Sequence, residues 1–449
     1  MNPIDEIPLS SYGCASSNPA PVSKMMSEFA LEFREGIDIN LGVGYVNEKT
    51  IPRNLIKEAY REVLDHPDKY PVALNYGSSK GSENLIESII KYYTDNKIGC
   101  IDEGVIRSKE IIIGPNGATS LLNGISNLVR PGIVITSDPL YYIYCNLLER
   151  AGFEILAVPE DEKGMRADLL RQRIEAIGDM KKKISFIYVV TINNPTGTII
   201  SNERKKELIQ VASDLSKDLG RKVPIFLDKA YEDLIHDPKV EKPISGFLTD
   251  EIEIVYEIGT FSKVLAPALR IGYMIGPSGP FMRTMVQKTN DVGLCPSLIT
   301  QEIVSYILDH HINEQLRRVR DGYRKRAVAV KRWIDEELRD FAPDYCGGKA
   351  GFYFYLTFNE GIKTNETSNL YKFLKRMTGN PCLDGPLNNK KPCVVYIPGE
   401  FCVHKKGEMV EIGRRQMRIS YGYEEPERIK EALSYIRDGA CYAERTSPI

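Results

Sequence analysis

The stretch GTFSKVLAPALRIGYMIG, residues 259–276, is the part of the chain around which the other features are arranged. It places the hydroxyl groups of Thr260 and Ser262 next to Lys263, and an arginine follows at Arg270. A lysine amine that is not permanently protonated can form an imine with a carbonyl group. Hydroxyl groups and an arginine are suited to a phosphate. Together they suggest an aldehyde cofactor with a phosphate tail, which describes pyridoxal phosphate. The alternative for this stretch alone is a surface lysine in a turn rich in serine and threonine.

The composition is ordinary for a globular protein. The chain has 449 residues, of which 42% are hydrophobic and 27% charged, and its net charge is -2. The length allows a large domain with a smaller one, and the charge argues against a nucleic-acid-binding protein. The nine cysteines are scattered without zinc-type spacing, and no HExxH motif occurs, so we expect no metal site and a cytoplasmic protein with reduced thiols. We expect neither a signal peptide nor a membrane span.

Short apolar segments alternate with helical patterns from residue 109 onward. Seven strands are predicted, at 109–115, 133–139, 154–160, 183–201, 223–234, 253–263 and 271–276. This alternation predicts an α/β domain with a mainly parallel, seven-stranded sheet sandwiched by helices. Ligands of such sheets bind at the carboxyl ends of the strands. The polar candidates follow strands at that edge, namely Gly117, Ala118, Thr119, Tyr141, Asn194, Asp228, Tyr231 and Lys263.

The last third of the chain has a different pattern. Residues 296–338 predict one long or broken helix, and strands are expected at 347–358, 393–402 and 415–423. This predicts a small α+β domain. We expect residues 1–50 to form an N-terminal arm and part of the small domain, 51–319 the large cofactor-binding domain, and 320–449 the C-terminal small domain. The polar stretch 359–392 contains a helix-like piece at 369–377 and a loop rich in proline, asparagine and lysine. It is interpreted as a surface loop, with a part of the substrate entrance as the alternative.

Three motifs occur in a fixed order: NNPTGT at 193–198, DKAY at 228–231 and TFSKVLAPALRIGY at 260–273. With them the chain resembles the fold-type I pyridoxal-phosphate enzymes, specifically the class I/II aminotransferases, over about residues 37–435. The resemblance implies an aspartate-aminotransferase-like fold and pyridoxal 5'-phosphate as the cofactor. It also implies exchange of an amino group between an α-amino acid and a 2-oxo acid, in a homodimer with active sites at the subunit interface.

The resemblance assigns the catalytic roles to three residues. Lys263 matches the lysine that forms a Schiff base with the cofactor and then transfers a proton as general base and acid. Asp228 matches the carboxylate that keeps the pyridine nitrogen protonated. Tyr231, together with Asn194, matches the donors to the phenolic oxygen of the ring.

The same resemblance assigns the binding roles. The phosphate ligands are expected to be Gly117, Ala118, Thr119, Thr260, Ser262 and Arg270, with Tyr76 reaching the phosphate of the neighbouring subunit. Tyr141 matches the aromatic side chain that stacks on the ring, although Tyr142 or Tyr144 could take this place. Arg418, Gly44 and Asn194 match the groups that bind the substrate α-carboxylate. Two departures are Thr260, where serine is usual, and Ala268, where glycine is common.

Other functions remain open at this point. Another pyridoxal-phosphate reaction, such as β-elimination, β-decarboxylation or the cyclisation of aminocyclopropane-carboxylate synthases, would use the same residues. A regulatory module of the kind fused to DNA-binding domains is disfavoured, because the sequence shows neither a helix-turn-helix extension nor a basic region. No second arginine is identified for a substrate side-chain carboxylate. The segment 398–402 resembles aromatic and α-aminoadipate aminotransferases, whereas 40–44 resembles aspartate-type enzymes.

Overall fold

The computed structural model describes residues 7–386 and 388–446. Residues 1–6 of the predicted arm, and residues 387 and 447–449 of the predicted small domain, lie outside the described residues. Its strands, in chain order, are β1 (Ile39–Asn40), β2 (Lys109–Ile113), β3 (Ile133–Asp138), β4 (Glu154–Asp161), β5 (Gly164–Met165), β6 (Ile184–Val190), β7 (Ile225–Asp228), β8 (Val255–Thr260), β9 (Gly272–Pro277), β10 (Asp344–Gly347), β11 (Tyr353–Thr357), β12 (Val394–Val395), β13 (Ile397–Pro398) and β14 (Gln416–Ser420). Its α-helices are α1 (Ser11–Ser16), α2 (Pro21–Glu32), α3 (Arg53–Asp65), α4 (Glu83–Asp95), α5 (Glu103–Arg107), α6 (Gly117–Leu128), α7 (Tyr142–Arg150), α8 (Ala167–Ala176), α9 (Asn202–Leu219), α10 (Pro280–Gly293), α11 (Leu298–His310), α12 (Ile312–Glu337), α13 (Asn369–Leu374), α14 (Pro381–Asp384), α15 (Val410–Gly413) and α16 (Pro426–Thr446).

The large sheet contains the seven predicted strands in the order β2-β9-β8-β7-β6-β3-β4, and the two-residue β5 pairs antiparallel with the outer end of β4. The pairs from β4 through β8 are parallel, whereas β9 runs antiparallel between β8 and β2. β6 ends earlier than predicted because the chain turns after residue 190. The Asn193 backbone N–H donates to the Thr198 carbonyl at 2.8 Å, and the Gly197 N–H donates to the Asn193 carbonyl at 2.7 Å.

The sheet is buried on both faces. Every residue of β3, β6, β7, β8 and β9 is buried. Successive side chains alternate between two apolar clusters, so that Phe186 and Phe226 belong to one cluster while Ile187 and Leu227 belong to the other. This alternation is the pleat of a strand that carries apolar side chains on both sides. Asp228 and Thr260 end two of these strands, whereas the buried Glu257 lies within β8 and forms an ion pair with Lys229 at 2.8 Å.

The small domain is built on a four-stranded antiparallel sheet in the order β10-β11-β14-β13. Arg418 lies in the middle of β14, opposite Tyr355 of β11 and Ile397 of β13. The predicted long helix is broken at His311, between α11 and α12. β1 pairs in parallel with β12, which places the segment after residue 40 beside the small sheet.

The stretch 359–392 contains the expected helical piece as α13, which ends at Leu374. Its helix α13 packs against α16 and buries Leu370 and Leu374. Gly439 on α16 permits this approach, because a Cβ there would lie 2.8 Å from Leu370 Cδ1. Part of this stretch therefore belongs to the core of the small domain.

Within the ranges that the structure describes, none of the helices combines the length and the apolar character that a membrane crossing requires.

Candidate active site

A cavity of about 140 Å³ opens at the carboxyl ends of β6, β7 and β8. The final residues of these strands, Val190, Asp228 and Thr260, line it. Most of the predicted site residues meet there: Ala118, Thr119, Tyr141, Asn194, Asp228, Tyr231, Thr260, Ser262, Lys263 and Arg270. Side chains from distant parts of the sequence therefore converge at the edge of the sheet where ligands of α/β proteins bind.

Lys263 is half-buried on the turn after β8. Its Nζ donates to the Gly44 carbonyl at 3.3 Å and lies 5.7 Å from the centroid of the Tyr231 ring. Burial, together with the nearby Arg418 and Arg270, lowers the pKa of Lys263 to about 8, whereas Asp228 opposes the shift. A neutral amine is therefore accessible near physiological pH, as a nucleophile or general base requires.

Asp228 is the buried carboxylate at the floor of the cavity. Its Oδ2 accepts a hydrogen bond from the Tyr188 hydroxyl at 2.7 Å, and its Oδ1 accepts from the Ala230 N–H at 3.0 Å. Burial raises the pKa of Asp228, and these hydrogen bonds oppose the shift. The ionised form of a carboxylate buried in this way is stabilised most by a ligand that presents a cationic N–H donor. The prediction missed Tyr188, whose only signal was a polar aromatic residue in an apolar strand.

The phosphate-type groups lie together at one end of the cavity. Thr260 Oγ1 and Ser262 Oγ are 2.9 Å apart, next to the N-terminal turn of α6, which begins at Gly117. Arg270 Nε donates to Asn116 Oδ1 at 2.7 Å, and its Nη2 donates to the Asn116 carbonyl at 2.9 Å. Two hydroxyl groups, a helix N-terminus and an arginine form an anion-binding arrangement.

Gly117 is required at this turn on two counts. Its φ is +68°, in the left-handed region, and a Cβ there would lie 3.0 Å from Arg270 Nη2. Gly117 thus leaves room for the arginine and does not line the cavity. Ala268, where glycine is common in related sequences, is exposed, and Arg270 reaches α6 in its presence.

The three neighbouring tyrosines have separate surroundings. Tyr141 lines the cavity, just before α7 begins. The Tyr142 hydroxyl accepts from Arg418 Nη1 at 3.1 Å, while the Tyr144 ring packs in the core with its centroid 4.8 Å from that of Tyr188. Tyr141 is therefore the one of the three that faces the cavity.

Arg418 is buried beside the cavity and is held from three sides. Its Nη1 donates to Asn194 Oδ1 at 2.7 Å, and its Nη2 donates to the Gly42 carbonyl. Its Nε is buried and has no hydrogen-bond partner among the described residues. Three of its five N–H groups therefore have partners, and the Nε–H and one Nη2–H remain for a ligand such as a carboxylate.

Neither Gly44 nor Tyr76 lines the cavity. Gly44 was expected to contact the substrate carboxylate, and Tyr76 the phosphate of the neighbouring subunit. The carbonyl of Gly44 accepts from Lys263, and a Cβ at Gly44 would lie 2.5 Å from the Tyr353 hydroxyl. Tyr76 is 71% exposed and does not line the cavity of its own chain.

Tyr353 was missed by the sequence interpretation, because the aromatic run of β11 does not indicate which of its rings faces the site.

The fold and the site define an α/β enzyme in which a lysine amine, a buried carboxylate and an anion-binding turn face one cavity. The sequence profile of the family "Aminotransferase class I and II" matches residues 37–377, and the chain belongs to this family. It is therefore an aminotransferase of a pyridoxal-phosphate family, as the motifs predicted.

The relatives that the chain resembles include aminotransferases and a protein named as a transcriptional regulator. The chain is 26% identical over 408 residues to aromatic-amino-acid aminotransferase 1 of Thermococcus litoralis, covering 89% of this chain and 87% of that protein. It is also 26% identical over 340 residues to the uncharacterized HTH-type transcriptional regulator YisV of Bacillus subtilis, covering 75% and 65%. The crystal structure of the multiple substrate aminotransferase from Thermococcus profundus matches with a TM-score of 0.81 at 22% identity, covering 97% and 98%. The fold is aspartate-aminotransferase-like, as predicted.

Proposed function

We propose that this aminotransferase binds pyridoxal 5'-phosphate in the cavity and exchanges an amino group between an α-amino acid and a 2-oxo acid. The observation that carries the proposal is the convergence of Lys263, Asp228 and Arg270 on one cavity. When bound, the cofactor supplies an aldehyde and an electron-withdrawing ring. The donors at the cavity fit such a group, since they offer a carboxylate to a protonated nitrogen and an anion site to a phosphate.

Each residue then has a binding task. Thr260, Ser262, Arg270 and the first N–H groups of α6 would hold the phosphate, with Gly117 supporting this turn. Asp228 would hold the proton on the ring nitrogen. Asn194 and Tyr231 would donate to the phenolic oxygen, and Tyr141 would stack on the ring.

Lys263 has the proton-transfer task. Its lowered pKa leaves part of the Nζ neutral near neutral pH, so it can accept the proton from the substrate Cα and return it. The carbonyl of Gly44 holds this amine in place in the free site. Arg418 would bind the α-carboxylate and so orient the Cα–H bond toward the lysine.

We also propose that aromatic amino acids are among the donors. The rings of Tyr142 and Tyr353 lie against the Arg418 guanidinium, at 5.8 and 4.4 Å from ring centroid to Cζ. A substrate held by Arg418 would therefore meet aromatic surfaces, which favour an aromatic side chain. The relative from Thermococcus litoralis, an aromatic-amino-acid aminotransferase, supports the same class.

The functional unit is proposed to be a homodimer. Exposed apolar side chains gather where the loop 72–79 meets the end of α10: Val72, Leu74, Tyr76, Val292 and Leu294. The two segments are tied together, since the Gly77 N–H donates to Cys295 Sγ at 3.2 Å and the Ser79 hydroxyl donates to the Leu294 carbonyl at 2.6 Å. Such a patch favours burial against a second copy, which would bring Tyr76 to the other subunit's site.

We propose the domain limits 51–319 for the large domain, with 1–50 and 320–449 supplying the arm and the small domain. The pairing of β1 with β12 supports this division. We also propose a cytoplasmic location, which the nine free cysteines support.

The test is a panel of amino donors, aromatic ones included, against 2-oxoglutarate and pyruvate, followed by cofactor absorbance. We expect donor-dependent and acceptor-reversible absorbance changes in the wild type and in Lys331→Ala, an exposed control, but none in Lys263→Ala. Normal turnover by Lys263→Ala would refute the site assignment. Oxo-acid formation without acceptor-dependent recovery would favour elimination or decarboxylation instead, and absence of turnover with every donor would favour a regulatory role like that named for the Bacillus subtilis relative.

A further inference from the structure

Glu160, near the end of β4, bridges the two ends of the turn that carries Asn194. Its Oε2 accepts from Asn193 Nδ2 at 2.8 Å, and its Oε1 accepts from the Thr196 hydroxyl at 2.5 Å. Asn194 and Pro195 lie between these two contacts. One carboxylate thus fixes both ends of a turn whose central residue lines the cavity.

The same contacts connect two parts of the candidate site. Asn193 Nδ2 also donates to the Pro139 carbonyl at 2.9 Å, in the turn that leads to Tyr141. On the other side, Asn194 Oδ1 accepts from Arg418 Nη1. A displacement of the Glu160 carboxylate would therefore shift the amide that supports the substrate-binding arginine.

The titratable groups around Glu160 are ones that become negative on ionisation, and its carboxylate has no ion-pair partner among the described residues. Asp138 on β3, Cys346 on β10 and Tyr355 on β11 are the titratable groups that face it, and no described lysine, arginine or histidine forms an ion pair with it. Burial raises the pKa of Glu160 to about 7, whereas the hydrogen bonds from Thr196, Asn193 and Thr198 oppose the shift. Burial likewise raises the pKa of Asp138 to about 6.

We propose that Glu160 is a positioning residue whose ionised carboxylate holds the Asn193–Gly197 turn, and through Asn194 the grip of Arg418 on the substrate carboxylate. The inference rests on the proposed function of Arg418. The ionised form accepts from both Asn193 and Thr196, whereas the protonated form has a donor on one oxygen. The turn is therefore held more firmly when Glu160 is ionised.

Glu160→Gln imitates the protonated form with the same shape, because it also carries a donor on one side. We expect its KM for the amino donor to equal that of the wild type near pH 6 and to exceed it about fivefold near pH 8, the effect of about one net hydrogen bond. The kcat should change less, since the chemistry is done by other residues. Glu160→Ala should raise KM at both pH values.

Glu162→Gln provides the matched control, since Glu162 is exposed two positions further along. A second readout is the affinity of the apo-protein for pyridoxal 5'-phosphate, followed by fluorescence, which Glu160→Ala should weaken several-fold and Glu162→Gln should not. A KM ratio of Glu160→Gln to wild type that is the same at pH 6 and pH 8 would overturn the inference, even if Glu160→Ala fails to fold. If only the inference about Glu160 fails, the wild type still binds the cofactor and turns over. If the proposed function fails, the wild type does neither.

Discussion

The hydroxyl group of Tyr353 lies 3.0 Å from the hydroxyl group of Tyr231, so a residue of the small sheet contacts the large domain directly at the site. The Tyr353 ring also lies over the Arg418 guanidinium. Burial raises the pKa of Tyr231 well above its usual value, and Tyr353 raises it further. The Tyr231 phenol is therefore protonated at neutral pH, and its hydroxyl can donate either to the Tyr353 hydroxyl or to a ligand.

Removal of the Tyr353 hydroxyl should weaken catalysis without unfolding the chain. We expect Tyr353→Phe to lower kcat/KM about fivefold, because Tyr231 loses a hydrogen bond worth ~1 kcal/mol. Steady-state kinetics with an aromatic donor measures this. Tyr396→Phe is the control, since that hydroxyl bonds to the Thr364 carbonyl at 2.6 Å, and an equal loss in both variants would contradict a specific role.

A methyl group at position 44 should disturb the site more strongly. Gly44→Ala places a Cβ where only 2.5 Å separates it from the Tyr353 hydroxyl, so the loop or the ring must move. We expect kcat/KM to fall by about one to two orders of magnitude, as misplacement of catalytic groups does. Gly322→Ala, in open space on α12, should leave the rate unchanged. Wild-type kinetics for Gly44→Ala would show that this contact is unimportant.

The lowered pKa of Lys263 predicts a pH-dependent stability of the apo-protein. The pKa of Lys263 is about 8 in the folded protein and 10.5 for an ordinary lysine, so folding disfavours the proton on this amine. The resulting destabilisation is complete below pH 8 and disappears as the pH rises toward 10.5. Apo Lys263→Met should therefore melt higher than apo wild type at pH 7, by on the order of 2 °C, with a smaller difference at pH 10.

Thermal melts across pH 7 to 10 measure this difference. Lys331→Met, which replaces an exposed lysine, should show no such trend. A constant difference between Lys263→Met and wild type at all pH values would mean that the amine is not perturbed by folding.

The proposed dimer face predicts the effect of a charge at position 74. Leu74→Asp places a carboxylate in the exposed apolar patch, so it should shift the protein from dimer to monomer in sedimentation velocity. Leu248→Asp, at another exposed apolar position, should not. A stable Leu74→Asp dimer would place the interface elsewhere.

Mixed subunits test the role proposed for Tyr76. If Tyr76 serves the other subunit, a heterodimer of Tyr76→Ala and Lys263→Ala chains contains one intact site and one doubly altered site. Co-refolding should therefore restore about half of the wild-type activity per heterodimer. No recovery above the Tyr76→Ala homodimer would indicate that Tyr76 acts within its own chain.

The sequence predicts the large sheet well because the strands are apolar on both faces. Polar residues such as Asp228 and Thr260 end two of these strands, and parallel strands bring their carboxyl ends together. The neighbours Tyr188 and Tyr353 could not be predicted in this way. Their strands carry several aromatic side chains, and only the register with strands far along the chain decides which ring meets Asp228 or Arg418.

The tyrosines after β3 show a second limit. The spacing left Tyr141, Tyr142 and Tyr144 as alternatives, because their direction depends on the residue at which α7 begins. That helix starts at Tyr142, so Tyr141 remains outside it and faces the cavity. A helix start shifted by one residue would have changed the assignment, and sequence patterns do not locate a helix start to within one residue.

The pairing of β1 with β12 has a consequence for biosynthesis. The Cys393 N–H donates to Asp38 Oδ1 at 2.8 Å although the two residues are 355 positions apart. A nascent chain leaves the ribosome with Lys263 and the whole large sheet well before the partner strand of β1 is translated. The segment that contains Gly44 is therefore fixed in place last. A polypeptide released before residue 394 would carry Lys263 without the strand pairing that positions the Gly44 carbonyl beside its amine.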